Sequence, residues 1–330
     1  MFNNKTILVT GGTGTFGKNF VKHLLNSKIN FSKLIIYSRD EHKQFHLQNE
    51  LKKYSKKIRY FIGDVRDLNR LKLAFRDVDV VIHTAAMKHV STAEYNPFEC
   101  VSTNIIGAQN VCLASIDQKV KNVLALSTDK ASNPINLYGA SKLASDKIFI
   151  GSNIMSGAKG TKFSVVRYGN VFGSRGSVLP YFKELIINKS KFLPITDIKM
   201  TRFVITIEEA IEFVLKSVKM MRGGEIFIPK IPSIKITDLA KAINPSLPIK
   251  IIGIRSGEKI HEMMFSSDEA LNIIEHKNHY IIEPNKDELW FKSHFSKKYK
   301  KVQSNFSYRS DLNHKFLSIT KIKSLINNML

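Results

Sequence analysis

A chain of 330 residues with 43% hydrophobic content has enough apolar side chains for one large α/β domain or two modest ones. No apolar run is long enough to span a membrane, and the run Thr6-Ile7-Leu8-Val9 is too short for a signal peptide and ends in glycines. The net charge of +23 comes mostly from lysine, 40 of 51 basic residues, scattered without interleaved aromatics; that argues against a nucleic-acid groove and leaves a solvated surface that attracts anionic small molecules. Cys100 and Cys112 lack C-x-x-C spacing, so neither a disulfide framework nor a metal site is expected, and a reducing cytoplasm is the expected compartment.

In chain order, the first half alternates apolar runs with amphipathic stretches. Strands are predicted at Thr6–Thr10, Lys33–Tyr37, Arg59–Ile62, Val78–His83, Asn122–Leu126 and Ser164–Arg167, with helices at Gly17–Asn26, Asp40–Tyr54, Asp67–Phe75, Asn104–Ser115 and Tyr138–Ile154 between them. Strands separated by helices imply parallel pairing through right-handed crossovers, hence a Rossmann-type, doubly wound parallel sheet. After about residue 170 the texture changes: Gly169, Gly173 and Gly176 punctuate a loop, Thr206-Ile207-Glu208-Glu209 starts a helix, and Pro229, Pro232, Pro245 and Pro248 break the next region into short elements. We expect residues 1–170 to bind a dinucleotide and 171–330 to form a smaller α/β substrate-binding lobe, partly interleaved with the first. The lysine-rich tail from about residue 285 is poorly defined, with Trp290 and Phe291 expected to dock on the surface.

Gly11-Gly12-Thr13-Gly14-Thr15-Phe16-Gly17 lies directly between the first strand and the first helix. Small residues permit a tight turn and let backbone approach a pyrophosphate, which the helix N-terminus then holds. The second strand ends Tyr37-Ser38-Arg39-Asp40, with Lys43 about one turn on. An NAD site usually offers a carboxylate at that corner; Ser38, Arg39 and Lys43 instead suit a 2′-phosphate, so NADP is the expected cofactor, although Asp40 could still reach a ribose. Asp64, followed by Val65, is placed to meet the adenine amino group, and the small Thr84-Ala85-Ala86 lets the cofactor lie close to the sheet edge.

Tyr138 and Lys142 are four apart and share a helix face. A phenol titrates near about 10 when free, and a nearby ammonium and a cationic nicotinamide would lower it, making Tyr138 a base. Just upstream, Ser127-Thr128-Asp129-Lys130 sets an acid and a base side by side.

These residues, Gly11 through Gly17, Asp64-Val65, Thr84-Ala85-Ala86, Thr128 and the Tyr138/Lys142 pair, resemble the extended short-chain dehydrogenase/reductase superfamily over roughly residues 5–265. Ala85-Ala86-Met87-Lys88-His89-Val90, Ala93-Glu94-Tyr95-Asn96-Pro97, Ser127-Thr128-Asp129-Lys130-Ala131, Arg167-Tyr168-Gly169-Asn170-Val171 and Met200-Thr201-Arg202-Phe203 resemble more narrowly the inverting UDP-N-acetylglucosamine 4,6-dehydratases of pseudaminic acid biosynthesis. The resemblance implies that Tyr138 deprotonates the C4 hydroxyl during a transient oxidation while Thr128 bonds that oxygen, that the C5 proton is then removed and water leaves from C6, and that C5 is reprotonated with inversion. Asp129 and Lys130 would share these proton transfers, and which moves which stays open: burial or neighbouring cations would free Lys130 as a base, whereas mutual pairing would push both the other way.

Lys88, Asn170, Val178, Thr196, Arg202, Arg255 and Glu258 match substrate contacts, with Lys88 also able to reach the nicotinamide ribose. The resemblance further implies a homo-oligomer, a hexamer, with helices around 104–115 and 138–154 at one interface. Ser256 departs from the usual proline. Retaining relatives typically carry Met at the position of Tyr138 and add transmembrane segments, and a 4-epimerase needs no acid/base pair for water loss. A non-catalytic NADP-binding regulator and an RNA-binding protein are the alternatives of another class.

Overall fold

The computed structural model describes residues 2–157, 159–284 and 291–328. Six apolar runs, rich in Val, Ile and Leu, form parallel strands: β1 (Thr6–Thr10), β2 (Lys33–Ser38), β3 (Ile58–Ile62), β4 (Val80–His83), β5 (Asn122–Thr128) and β6 (Lys162–Tyr168). Their order, β3-β2-β1-β4-β5-β6, reverses direction between β1 and β4, which opens a crevice at the carboxyl ends of those two strands. Ile7, Leu8, Val9, Leu34, Ile36, Val81, Ile82, Val123 and Leu124 are fully buried, as a sheet covered on both faces requires.

The covering helices are α1 (Thr15–Asn26), α2 (Glu41–Glu50), α3 (Leu68–Ala74), α4 (Gly107–Asp117) and α5 (Leu137–Ser156). Asp40, Asp67 and Asn136 cap α2, α3 and α5 by accepting first-turn N–H groups. The helix predicted over Asp40–Tyr54 is shorter: α2 ends at Glu50 and the chain tightens into a 3₁₀ turn, with Tyr54 N–H bonding the Leu51 carbonyl at 2.8 Å. A π-helical turn, Ser102–Ile106, precedes α4. It carries Asn104, whose amide donates to Met87 O at 3.0 Å and Ser141 Oγ at 2.9 Å while its Oδ1 accepts Met87 N–H at 2.8 Å. The widened turn thus ties the loop after β4 to the N-terminal segment of α5, as such turns often do near functional sites.

The sheet continues with strands from the second half of the chain. β7 (Ile226–Pro229) runs parallel to β6, then the hairpin β8 (Ile273–His276) and β9 (His279–Ile282) adds antiparallel, and β10 (Lys300–Lys301) closes that edge. The rest of this half forms a separate layer. Strands Asn170–Val171, Thr201–Ile205 and Ser233–Lys235 make a small sheet, and Leu193–Ile195 pairs with Ile249–Ile251. Phe172, Leu179, Val204, Ile234 and Leu239 form its core. The tail, poorly defined by its sequence, is an integral part of this layer: Ile319–Asn327 is a helix that buries Ile322 and Ile326 in that same core, and Tyr308 packs between Phe203 and Phe265. Trp290 lies outside the described residues; Phe291 is half-buried. Among the described residues no helix is long and apolar enough to cross a membrane.

Candidate active site

The turn after β1 is built by close approach. Gly11 has φ +64°, and a Cβ there would lie 2.9 Å from the Ala85 backbone; a Cβ on Gly17 would lie 2.5 Å from Gly11 O. Glycine at both positions therefore keeps the strand, the turn and α1 in contact. Gly14 is the N-cap of α1 and brings no side chain, so the first-turn N–H groups at Thr15, Phe16 and Gly17 are open to an anion. Thr84 is fixed to β1, its Oγ1 donating to Thr10 O at 2.7 Å, which holds Ala85 against Gly11. This cradle fits the pyrophosphate of a dinucleotide.

The corner after β2 is more engaged than the sequence suggests. Ser38 is buried, its Oγ 2.7 Å from Thr13 Oγ1. Asp40 accepts Lys43 N–H at 2.9 Å and pairs with the Lys43 ammonium, so the one carboxylate that could bind a ribose is occupied as a helix cap. Arg39 is 61% exposed, 3.7 Å from Asp64, and Asp64 is held by Arg66 at 2.8 Å. Burial opposes the charge on Asp64, but Arg66 and Arg39 hold its carboxyl below the usual range. Val65 is buried, with its carbonyl bonded by Asn110 at 3.1 Å. Beside this corner a cavity of about 150 Å³ is lined by Thr13, Lys18, Lys43, His46, Leu47 and Arg175. Lys18, His46 and Arg175 lie far apart in sequence and carry no motif, so only the fold reveals this basic pocket. Lys88 reaches across to donate to Arg175 O, and burial lowers its pKa.

The chemical groups converge where β5 ends. Thr128 closes the strand and its Oγ1 donates to Asp129 Oδ1 at 3.0 Å. Asp129, Lys130 and Ala131 form a 3₁₀ turn that packs under the start of α5; a Cβ on Gly139 would meet Lys130 O at 2.4 Å. Tyr138 and Lys142 are both buried, and Lys142 Nζ donates to Leu126 O at 2.8 Å. Burial pushes Tyr138 up to about 12, against the pull of Lys130, in the protein alone. Burial lowers Lys142, against Asp146 one turn further along α5.

Lys130 is the centre of the cluster. Its Nζ lies 3.1 Å from Asp129 Oδ1 and 2.9 Å from Glu262 Oε1. Burial disfavours its charge, but Asp129 and Glu262 outweigh burial and hold the ammonium above its ordinary range. Burial raises Asp129, against Lys130, so the acid of the pair rather than the base is shifted toward neutral pH. Mutual pairing therefore governs Lys130, whereas desolvation governs Asp129.

The second lobe forms the facing wall. Thr196 Oγ1 donates to Glu258 Oε2 at 3.0 Å. Arg202 clamps the chain beside it, donating to Thr201 O, Lys259 O and Ile260 O at 2.7–3.0 Å, with Glu262 Oε1 3.6 Å from its Nε. Asn170 and Val178 are half-buried on the same side, while Arg255 is exposed on the loop. The structure thus gathers Thr128, Asp129, Lys130, Tyr138, Lys142, Arg202 and Glu262. Glu262 escapes a reading of the sequence because His261-Glu262-Met263 has no recognisable spacing.

A family profile described as "Polysaccharide biosynthesis protein" matches residues 7–284. An inverting UDP-N-acetylglucosamine 4,6-dehydratase of Campylobacter jejuni subsp. jejuni serotype O:23/36 (strain 81-176) is 57% identical over 99% of both chains. A UDP-glucose 4-epimerase of Rickettsia bellii (strain OSU 85-389) is 40% identical, covering 100% of this chain and 97% of its own. The X-ray structure of Pen from Bacillus thuringiensis superimposes with a TM-score of 0.88 over 99% of both chains at 38% identity. The chain belongs to this polysaccharide biosynthesis protein family, within the extended short-chain dehydrogenases/reductases.

Proposed function

We propose that the chain is an inverting UDP-N-acetylglucosamine 4,6-dehydratase that uses NADP. The observation carrying this reading is the pair of buried Asp129 and half-buried Lys130 beside Tyr138 and Lys142, in a chain 57% identical to a dehydratase of that name. Water loss from a 4-keto sugar needs an acid at C6 and a base at C5; epimerisation needs neither. Held by the Gly11–Gly17 turn, a nicotinamide dinucleotide would supply the hydride chemistry at C4 and C6.

The chain's own residues supply the proton chemistry. Tyr138 takes the C4 hydroxyl proton while Thr128 bonds the same oxygen. The C4 ketone acidifies C5, whose proton passes to Lys130 as the free amine, once the ammonium of this partly exposed side chain has given a proton to bulk water. Asp129, raised by burial, stays protonated long enough to hand its proton to the departing C6 hydroxyl. Lys130 then returns a proton to the opposite face of C5, giving UDP-2-acetamido-2,6-dideoxy-β-L-arabino-hex-4-ulose, the first intermediate toward pseudaminic acid. Residues 1–170 hold the cofactor, with Lys43, Arg39 and the basic cavity favouring a 2′-phosphate. Residues 171–330 hold the nucleotide sugar, together with Asn170 at the boundary, through Val178, Thr196, Arg202, Arg255 and Glu258. Exposed Ile106, Ile154 and Met155 on and beside α4 and α5 support a homo-oligomer.

Incubation with UDP-N-acetylglucosamine in deuterated water tests the reading. The expected product is the arabino-configured 4-keto-6-deoxy sugar with deuterium at C5; a xylo-configured product would show retention. The Rickettsia relative favours a second reading, 4-epimerisation, which would yield UDP-N-acetylgalactosamine with no water lost.

A further inference from the structure

Arg255-Ser256-Gly257-Glu258 folds as a tight turn in the second lobe, closed by Glu258 N–H donating to Arg255 O at 3.1 Å. Gly257, its third residue, has φ +73° while Ser256 does not share the left-handed region, the signature of a type II turn. Arg255 is exposed and Glu258 is held by Thr196 Oγ1 at 3.0 Å, so the turn carries two groups assigned above to the nucleotide sugar.

This turn is joined to the first lobe at two points. Lys259 Nζ donates to Ser132 O at 2.8 Å, and Ser132 N–H bonds Asp129 O at 3.2 Å. Asn136 Nδ2 donates to Gly257 O at 2.7 Å, across 121 residues of chain. Gly257 permits the approach, since a Cβ there would lie 3.0 Å from Asn136 Cβ. The other end of the same amide, Asn136 Oδ1, accepts Gly139 N–H at 2.7 Å and caps α5, two residues before Tyr138. Leu137 N–H, in the same first turn, goes separately to Glu94 Oε1 at 2.6 Å. A helix cap needs only an acceptor, and Asp or Ser supplies one about as well as Asn. The Asn136 donor is therefore surplus to capping, and an amide can hold a helix N–H and a facing carbonyl at once.

We propose that Asn136 is a positioning residue that latches the turn at 255–258 onto the segment carrying Tyr138, so that the nucleotide-sugar contacts are held ready at a fixed place relative to that base. This rests on the dehydratase reading. With both bonds present the turn is pinned at two points. Without the Asn136 bond it pivots about Lys259, and the arriving nucleotide sugar must order it. Binding weakens, while α5 stays capped and Tyr138 stays in place. Ser256 offers an independent way to restore the order. It occupies the second position of a type II turn, where proline pre-sets the required φ.

Wild-type protein and the variants Asn136→Ser, Asn136→Asp and Asn136→Ala, each with NADP and UDP-N-acetylglucosamine, provide the test. Ser and Asp keep the cap and lose the donor, and Ser adds no charge. In both, KM rises roughly 10-fold, the worth of one hydrogen bond, while kcat stays within about 3-fold. Their Tm and NADP affinity stay near wild type, whereas Asn136→Ala also loses the cap and falls in Tm. Adding Ser256→Pro to Asn136→Ser recovers about 2–5-fold of the lost KM. A second readout needs no substrate: trypsin cuts after Arg255 and Lys259 several-fold faster in Asn136→Ser than in wild type, at unchanged Tm. An unchanged KM in Asn136→Ser, a rise confined to Asn136→Asp or to Asn136→Ala, no recovery with Ser256→Pro, or unchanged cleavage overturns the proposal. If wild type dehydrates nothing, the dehydratase reading falls separately, and the cleavage rates then decide whether the latch stands.

Discussion

Arg167 and Asp146 form a sealed ion pair behind α5, Nη2 to Oδ2 3.4 Å, with side chains 1% and 2% exposed. Arg167 lies on β6 and Asp146 on α5, one turn past Lys142, so the pair locks the helix face that presents Tyr138 and Lys142 to the strand beside it. Ser127 Oγ donates to the same Asp146 oxygen at 2.8 Å, and Arg167 Nη1 donates to Met264 O at 2.8 Å, two residues beyond Glu262. The pair thus links both walls of the site.

Removing Asp146 takes away the buried counter-charge of Arg167 and leaves it only the partly exposed Glu269, 3.3 Å from Nη1. Asp146→Ala is expected to lower stability by about 1–3 kcal/mol, and Asp146→Asn by less because Ser127 keeps an acceptor. Denaturant unfolding followed by circular dichroism measures this; a loss below about 1 kcal/mol in the alanine variant would contradict a sealed pair.

Asp79 predicts an acid-dependent contribution. Its carboxylate accepts Thr6 N–H at 3.0 Å and meets Lys5 at 3.0 Å and Lys121 at 3.3 Å, tying β1 to the strand that begins just after Asp79. Burial opposes its charge, but the Thr6 N–H and the two lysines hold it below the usual carboxylate range. A lowered folded pKa contributes stability above the unfolded value of about 3.9 and loses it as pH falls through the folded value. Asp79→Asn should therefore cost about 1 kcal/mol at neutral pH and converge with wild type in acid. Parallel melting curves from neutral pH downward check the sign.

The basic cavity predicts cofactor preference. Arg175→Ala should weaken NADP by roughly 10–100-fold, the worth of a charge-assisted hydrogen bond, and leave NAD nearly unchanged. Calorimetric titration with each dinucleotide reads the ratio; equal losses for both would place Arg175 elsewhere than at a 2′-phosphate.

The tail helix predicts stability in the substrate lobe. Ile322 is fully buried, so Ile322→Ala should cost about 2–5 kcal/mol. Thermal unfolding of the whole chain measures it, and a cost near zero would mean that this helix is not part of the lobe's core.

The amino-acid sequence by itself determined the elements whose signals are local. β1, the glycine turn and α1 were legible because an apolar run, small residues and a helical pattern succeed one another without interruption. Asp129-Lys130 and the Tyr138/Lys142 pair were legible because a turn and one helix face bring them together, and the parallel sheet followed from alternation alone. The tertiary structure alone decided the rest. Glu262 reaches Lys130 from a distant part of the chain, Arg175 joins Lys18 and His46 from the other lobe, and Ser310 holds Glu262 from a tail with no motif. The protonation of the cluster was also undecidable from sequence. Whether Lys130 is an amine or an ammonium depends on which carboxylates share its buried space, and electrostatic contacts of that kind depend on three-dimensional distance rather than on spacing along the chain.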